Sequence, residues 1–134
     1  MNKEEHFKYW TDVSSEDWAT ASEIAKKNER KHFALFLGHL SVEKLLKALF
    51  VKKYNETPPY KHDLVILATK CGVELDERQM INLRIINTFN LEARYPDFKQ
   101  SFYKKCTPEF VRAEMQRIEE MLSWIKSTIE ATPF

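Results

Sequence analysis

The sequence has few of the residues that interrupt regular structure. Only two glycines and five prolines occur in 134 residues, which argues against a β-sandwich or barrel and favours long helices with few connections. Its two cysteines, Cys71 and Cys106, show no CxxC spacing and are expected to be reduced thiols of a cytoplasmic protein. The first ten residues lack the apolar stretch of a signal peptide, and no run approaches the roughly 18 apolar residues of a membrane span.

An excess of one charge is also lacking. Lys and Arg total 21 against 20 for Asp and Glu, a formal net charge of +1, so no global field draws the chain to nucleic acid or to an acidic membrane. Any contact with RNA or DNA would have to be local, at basic patches such as residues 26–32, 52–53 or 104–105. Two isolated glycines also exclude a glycine-rich phosphate loop.

Helical periodicity is what the sequence does contain, and the length of 134 residues suits one domain. Residues 1–13 show no clear period and are predicted to form a loose arm. Ser14 or Ser15 is predicted to cap a first helix that runs to about Asn28. The second helix, Lys31 to Tyr54, is the most apolar and is expected to lie in the middle of the fold.

Three further helices follow from local signals. Asp63 is predicted to cap a short helix to about Lys70, and Asp76 opens another that fades near Glu92, before a loop. Thr107 then caps the last helix, with proline at its first position. The predicted fold is all-α, an antiparallel up-and-down bundle of four main helices plus one short helix.

Gly38, inside the second helix, costs roughly 1 kcal/mol relative to alanine there. Close approach of a neighbouring backbone is the expected compensation. Exposed aromatics are predicted in the loop before the last helix, where they either cover the core or face a partner: Tyr95, Phe98, Phe102 and Tyr103.

A polar stripe crosses the apolar second helix, since His39, Glu43 and Lys47 lie at four-residue steps on one face. A buried carboxylate needs a partner. Lys47, His39 and Arg94 are candidates for Glu43, and we favour Arg94 because a guanidinium forms two parallel hydrogen bonds to a carboxylate. The stripe is then a structural brace, or a pocket in which Lys47 and Arg94 attract a phosphate. His62 either fixes the entry of the third helix or faces Glu43 as a ligand or proton carrier.

A metal site is not expected. His39 and Glu43 could hold one ion across a helical turn, and His32 lies seven residues before His39. Tetrahedral zinc usually needs a third protein ligand of defined geometry, and no cysteine is close in sequence. The residues therefore indicate neither a metal nor another cofactor.

Three segments, in one order, resemble a known family. They are DWATASEIAKKNERKHFALFLGHLSVEKLLKALFVKK, PPYKHDLVILA and LEARYPD. Together they resemble the HEPN domain, which is named for higher eukaryotes and prokaryotes and for proposed nucleotide binding. The resemblance implies a helical bundle that often dimerises. It also implies a small nucleotidyltransferase as partner, with which such domains form toxin–antitoxin pairs.

Many HEPN domains are RNases whose site is an arginine followed four to six residues later by a histidine. No arginine here has a histidine at that distance downstream, so the resemblance does not carry the nuclease over. The first hypothesis is therefore a HEPN-type binding module, possessing a nucleotide or RNA-phosphate site or pairing with a nucleotidyltransferase. Alternatives are a divergent RNase that uses His39 or His62, and a purely structural dimerisation or interaction domain.

Overall fold

The computed structural model describes residues 1–27 and 29–134, and the side chains of residues 93–94 and 96–99 lie outside this description. The described residues form helices and no strand, which confirms the predicted all-α bundle. In chain order the helices are α1 Lys3–Ala25, α2 Lys31–Tyr54, α3 Leu64–Lys70, α4 Glu77–Arg94, α5 Pro96–Lys105 and α6 Pro108–Glu130.

Helix α2 is the centre of the molecule and has the bounds that the sequence predicts. It packs against all five other helices, and Leu35, Leu46 and Leu49 are buried at 1% exposure or less. Because apolar residues occupy most of its circumference, every face finds a neighbouring helix. Asn55 ends α2 in the left-handed conformation, with φ of 53°.

The N-terminal boundary differs from the prediction. Helix α1 begins at Lys3, where the side chain of Asn2 accepts a hydrogen bond of 2.8 Å from the backbone N–H of Glu5, so the predicted start at Ser14 or Ser15 is wrong. Ser14 instead lies buried inside the helix and donates to the carbonyl of Ser41 at 2.7 Å. The predicted end near Asn28 lies outside the described residues.

The predicted loop before the last helix is also wrong, because residues 96–105 form α5. Pro96 disfavours helical geometry at Tyr95, which is extended with φ of −106° and ψ of 129°, yet proline also suits the first position of a new helix. Phe102 is buried and stacks on Phe89 with ring centroids 5.7 Å apart, while Tyr95 and Tyr103 are exposed. The side chain of Phe98 lies outside the described part.

The other helix starts are as the sequence predicts. Asp63 accepts from the backbone N–H groups of Val65 and Ile66 at 2.9 and 3.2 Å. Thr107 accepts from the N–H of Phe110 at 3.2 Å. Helix α6 then presents a buried seam to the core that includes Val111, Ile118, Leu122, Ile125 and Ile129.

The space beside Gly38 is filled by a side chain and not, as predicted, by a neighbouring backbone. A Cβ atom at this position would lie 2.5 Å from Cδ1 of Ile118 on α6. The absence of a side chain on α2 therefore makes room for the isoleucine where the two helices cross.

Candidate functional site

The polar stripe of α2 lies deeper in the protein than its polarity suggests. His39, Glu43 and Lys47 are 0%, 3% and 5% exposed. Groups buried to this extent must be hydrogen-bonded or ion-paired to be tolerated. Their partners come from α1 and from the segment between α2 and α3, residues 55–63, which we call the connecting loop.

Glu43 has two partners among the described residues. Its Oε2 accepts a hydrogen bond from Nζ of Lys47 at 3.0 Å, and its Oε1 lies 3.0 Å from Nδ1 of His62. Because an ionised carboxylate can only accept, Nδ1 of His62 carries the proton and donates. The side chain of Arg94, the partner that the sequence favours, lies outside the described residues, so a Glu43–Arg94 pair stays a prediction.

His39 holds the connecting loop through a second contact. Its Nε2 lies 3.0 Å from the carbonyl oxygen of His62, and since a carbonyl can only accept, Nε2 carries the proton. Burial lowers the pKa of His39 to about 4, against the smaller raising effect of the Glu43 charge. His39 is therefore neutral at pH 7 and shielded from any ligand in solvent.

Lys47 is surrounded by aromatic rings as well as by its carboxylate partner. Its Nζ lies 5.3 Å from the ring centroid of Trp10 on α1 and 5.9 Å from that of Tyr60 in the connecting loop. Both distances are within the range of cation–π attraction. The ammonium is thus balanced by Glu43 and two ring faces, which leaves little of its charge for an incoming phosphate.

His62 is the member of this group that reaches solvent, with 43% of its side chain exposed. The neighbouring Tyr60 is 89% exposed, and the two rings meet edge to face at 5.7 Å. The structure therefore brings together four of the predicted site residues, His39, Glu43, Lys47 and His62. His62 anchors the loop before α3 and faces Glu43, while a role as ligand or proton carrier stays a prediction.

Other chemistry is limited in the described part of the chain. Burial raises the pKa of the Cys71 thiol to about 12, so this cysteine remains a protonated, inert core residue. Within the same residues, no group of three or more His, Cys, Asp or Glu side chains is placed to hold a metal ion.

A second polar network, which the sequence did not indicate as a site, joins α4 to α6. Arg117 donates to Glu114 at 2.6 Å and to Asn82 at 2.5 Å. Asn82 in turn donates to Glu120 at 3.2 Å, and Glu120 pairs with Arg78 at 2.5 Å. The spacing of Glu114 and Arg117, one helical turn apart, was the available signal. An open cleft of about 790 Å³ is lined by Arg78, Asn82, Arg117 and Glu120 of this network.

The fold and the stripe define a small all-α protein whose central helix carries an internally paired polar cluster. The family model of the HEPN domain matches residues 7–128, and the chain therefore belongs to the HEPN domain family. The match begins within the first half of α1, ahead of Asp17, where the first of the resembling segments starts. Comparison with curated proteins and with solved structures finds no significant match. None of the helices in the described part is both long and apolar enough to cross a membrane.

Proposed function

We propose that this chain is a HEPN-type binding module for a phosphate-bearing ligand, a nucleotide or RNA, and that the stripe on α2 is a structural brace. The binding function rests on membership of the HEPN domain family. One observation supports the brace: the Glu43 carboxylate lies 3.0 Å from both Lys47 and His62. Both basic groups are thereby engaged inside the protein. The negative charge of Glu43 would also repel a phosphate near this site. The ligand is therefore expected to bind elsewhere on the surface.

Thermal unfolding with and without nucleotide tests the proposal. A ligand that binds only the folded state stabilises it by about 2.7 kcal/mol when its concentration is 100-fold above Kd. We expect millimolar ATP or GTP, or a short single-stranded RNA, to raise Tm while total RNA stays intact on incubation. If none of the three raises Tm, the binding function is refuted.

A divergent RNase is the second candidate, and the Glu43–His62 contact favours it. A carboxylate that orients a half-exposed imidazole is an arrangement used in general acid–base catalysis. His39, the other histidine that the sequence offers for this role, is fully buried and is not accessible to RNA. Cleavage of total RNA that is lost in His62→Ala and kept in the neighbouring exposed control Lys61→Ala would establish this candidate. Intact RNA with the unmodified protein would exclude it.

Homodimer formation and a nucleotidyltransferase partner, as in a toxin–antitoxin pair, are proposals that rest on family membership. Sedimentation equilibrium at micromolar protein concentration distinguishes a monomer from a dimer. Co-purification with the product of an adjacent nucleotidyltransferase gene tests the second proposal, and a partner that elutes separately would contradict it.

A further inference from the structure

A cleft of about 710 Å³ lies between α1 and α6, beside the cleft of the Asn82 network, with which it shares Gln116 and Glu119. Its floor is apolar, with Trp18 and Ala25 from α1 and Val111 and Met115 from α6. Trp18 and Met115 are only half-buried, so apolar surface remains open to a ligand. A volume of this size is typical of pockets for small organic ligands.

The rim of this cleft is basic. Lys26, Lys31 and Arg112 line it together with one carboxylate, Glu119. Because Lys26 is also paired with the exposed Glu23 at 3.6 Å, Lys31 and Arg112 are the two basic groups of the rim without a carboxylate partner among the described residues. Lys31 donates to the carbonyl of Ala25 at 2.6 Å, which places its ammonium at the end of α1. Arg112 is exposed and has no ion pair or hydrogen-bond partner among the residues that the structure describes.

The cleft between α4 and α6 provides an internal comparison. Both of its arginines, Arg78 and Arg117, are already paired with carboxylates at 2.5 and 2.6 Å, and Glu119 and Glu120 also line it. An anion entering there would compete with built-in carboxylates. Of these two clefts, the one between α1 and α6 therefore has the charge that attracts an anion.

We propose that the cleft between α1 and α6 binds a free nucleoside triphosphate, an inference that rests on the proposed phosphate-binding function. The apolar floor with the Trp18 indole suits a planar base, and Arg112 with Lys31 and Lys26 suits the phosphates, which a guanidinium holds through paired hydrogen bonds. A free nucleotide fits better than RNA, because a net charge of +1 offers little attraction to a long polyanion.

Calorimetric titration of ATP into the unmodified protein and into two charge-reversal variants tests the site. Arg112→Glu changes the rim, while Arg84→Glu makes the same charge change on the exposed face of α4, outside the cleft. We expect Arg112→Glu to weaken ATP binding about tenfold or more, which corresponds to about 1.4 kcal/mol, and Arg84→Glu to change it less than about twofold. Inorganic triphosphate carries only the anionic part of ATP, and adenosine carries only the base and the sugar. Each is expected to bind more weakly than ATP.

The outcomes separate this inference from the function on which it rests. Equal weakening by both variants would place ATP outside the cleft and leave the binding function standing. A short single-stranded RNA that binds more tightly than ATP and displaces it would also overturn the nucleotide as the ligand, while supporting phosphate binding. No measurable heat with millimolar ATP, together with no heat from the RNA, would overturn both. Unchanged circular dichroism melts establish that the two variants fold.

Discussion

Removing the carboxylate of Glu43 is expected to destabilise the fold strongly. In Glu43→Ala the ammonium of Lys47 keeps, among the described residues, only the rings of Trp10 and Tyr60, and its side chain is 7% exposed. Breaking a buried ion pair by deleting one partner typically costs about 3–5 kcal/mol. Because 43% of the His62 side chain is exposed, water can replace its lost acceptor, so most of the cost comes from Lys47. We expect a loss of roughly 3 kcal/mol or more.

Urea denaturation at pH 7 measures this cost, provided that the m-value is unchanged. Asp17→Ala is a matched control, since the Asp17–Lys44 pair also joins a carboxylate to a lysine of α2, at 2.6 Å, but its side chains are 18% and 22% exposed. That variant is expected to lose about 1 kcal/mol or less. Replacing Glu43 and Lys47 together by leucine should recover much of the loss, because no unpaired charge then remains.

A loss below about 1 kcal/mol in Glu43→Ala would refute the reasoning, since it would mean that Lys47 reaches water easily. The predicted Glu43–Arg94 pair is tested with the same assay by a double-mutant cycle of the two alanine variants. A coupling energy near zero would remove Arg94 as a partner and leave Lys47 and His62 as sufficient.

Three further predictions concern single positions. The pKa of His39 is about 4 in the folded protein against 6.5 ordinarily, so on acidification the unfolded chain takes up this proton before the folded protein does. The free energy of unfolding should therefore fall by roughly 3 kcal/mol between pH 6.5 and pH 4. A His39→Gln variant with the same dependence of stability on pH would contradict this. Gly38→Leu should destabilise the fold by about 1–3 kcal/mol through overpacking against Ile118. The destabilisation caused by Gly38→Ala should be smaller in an Ile118→Val background, which lacks Cδ1. Additive effects of the two substitutions in thermal melts would argue against that contact. Thr107→Ala should cost about 1 kcal/mol in urea denaturation by removing the cap of α6, and an unchanged midpoint would show that the cap adds nothing.

The parts of the fold that the sequence predicts are those with strong local signals. Helix α2 has a continuous apolar pattern between Lys31 and Tyr54, and α6 begins with Thr107 and Pro108, so their bounds follow from local chemistry. Helix α1 was placed too late because Ser14 has the side chain of a cap, while the residue that caps the helix is Asn2. The buried hydroxyl of Ser14 donates to the carbonyl of Ser41 on another helix, a tertiary contact that no local pattern reveals.

The stripe was predictable for similar reasons, but its partners were only partly so. Periodicity alone places His39, Glu43 and Lys47 on one face, and their burial follows from the apolar residues around them. The contact between Glu43 and His62 joins residues in different elements, and the conformation of the connecting loop decides it. The strength of guanidinium–carboxylate pairing favours Arg94 as the partner of Glu43. Residue chemistry alone does not show which basic side chain the fold brings within reach of that carboxylate.

His62 anchors the connecting loop at two atoms, with its ring on Glu43 and its carbonyl on His39. Upstream of that anchor, residues 55–57 of the loop are all exposed. The two halves of the loop therefore differ in their tolerance of engineering. A short peptide tag or a spin label placed after Asn55 would extend into solvent without disturbing the brace, whereas a one-residue deletion between Tyr60 and Asp63 would pull both hydrogen bonds out of register.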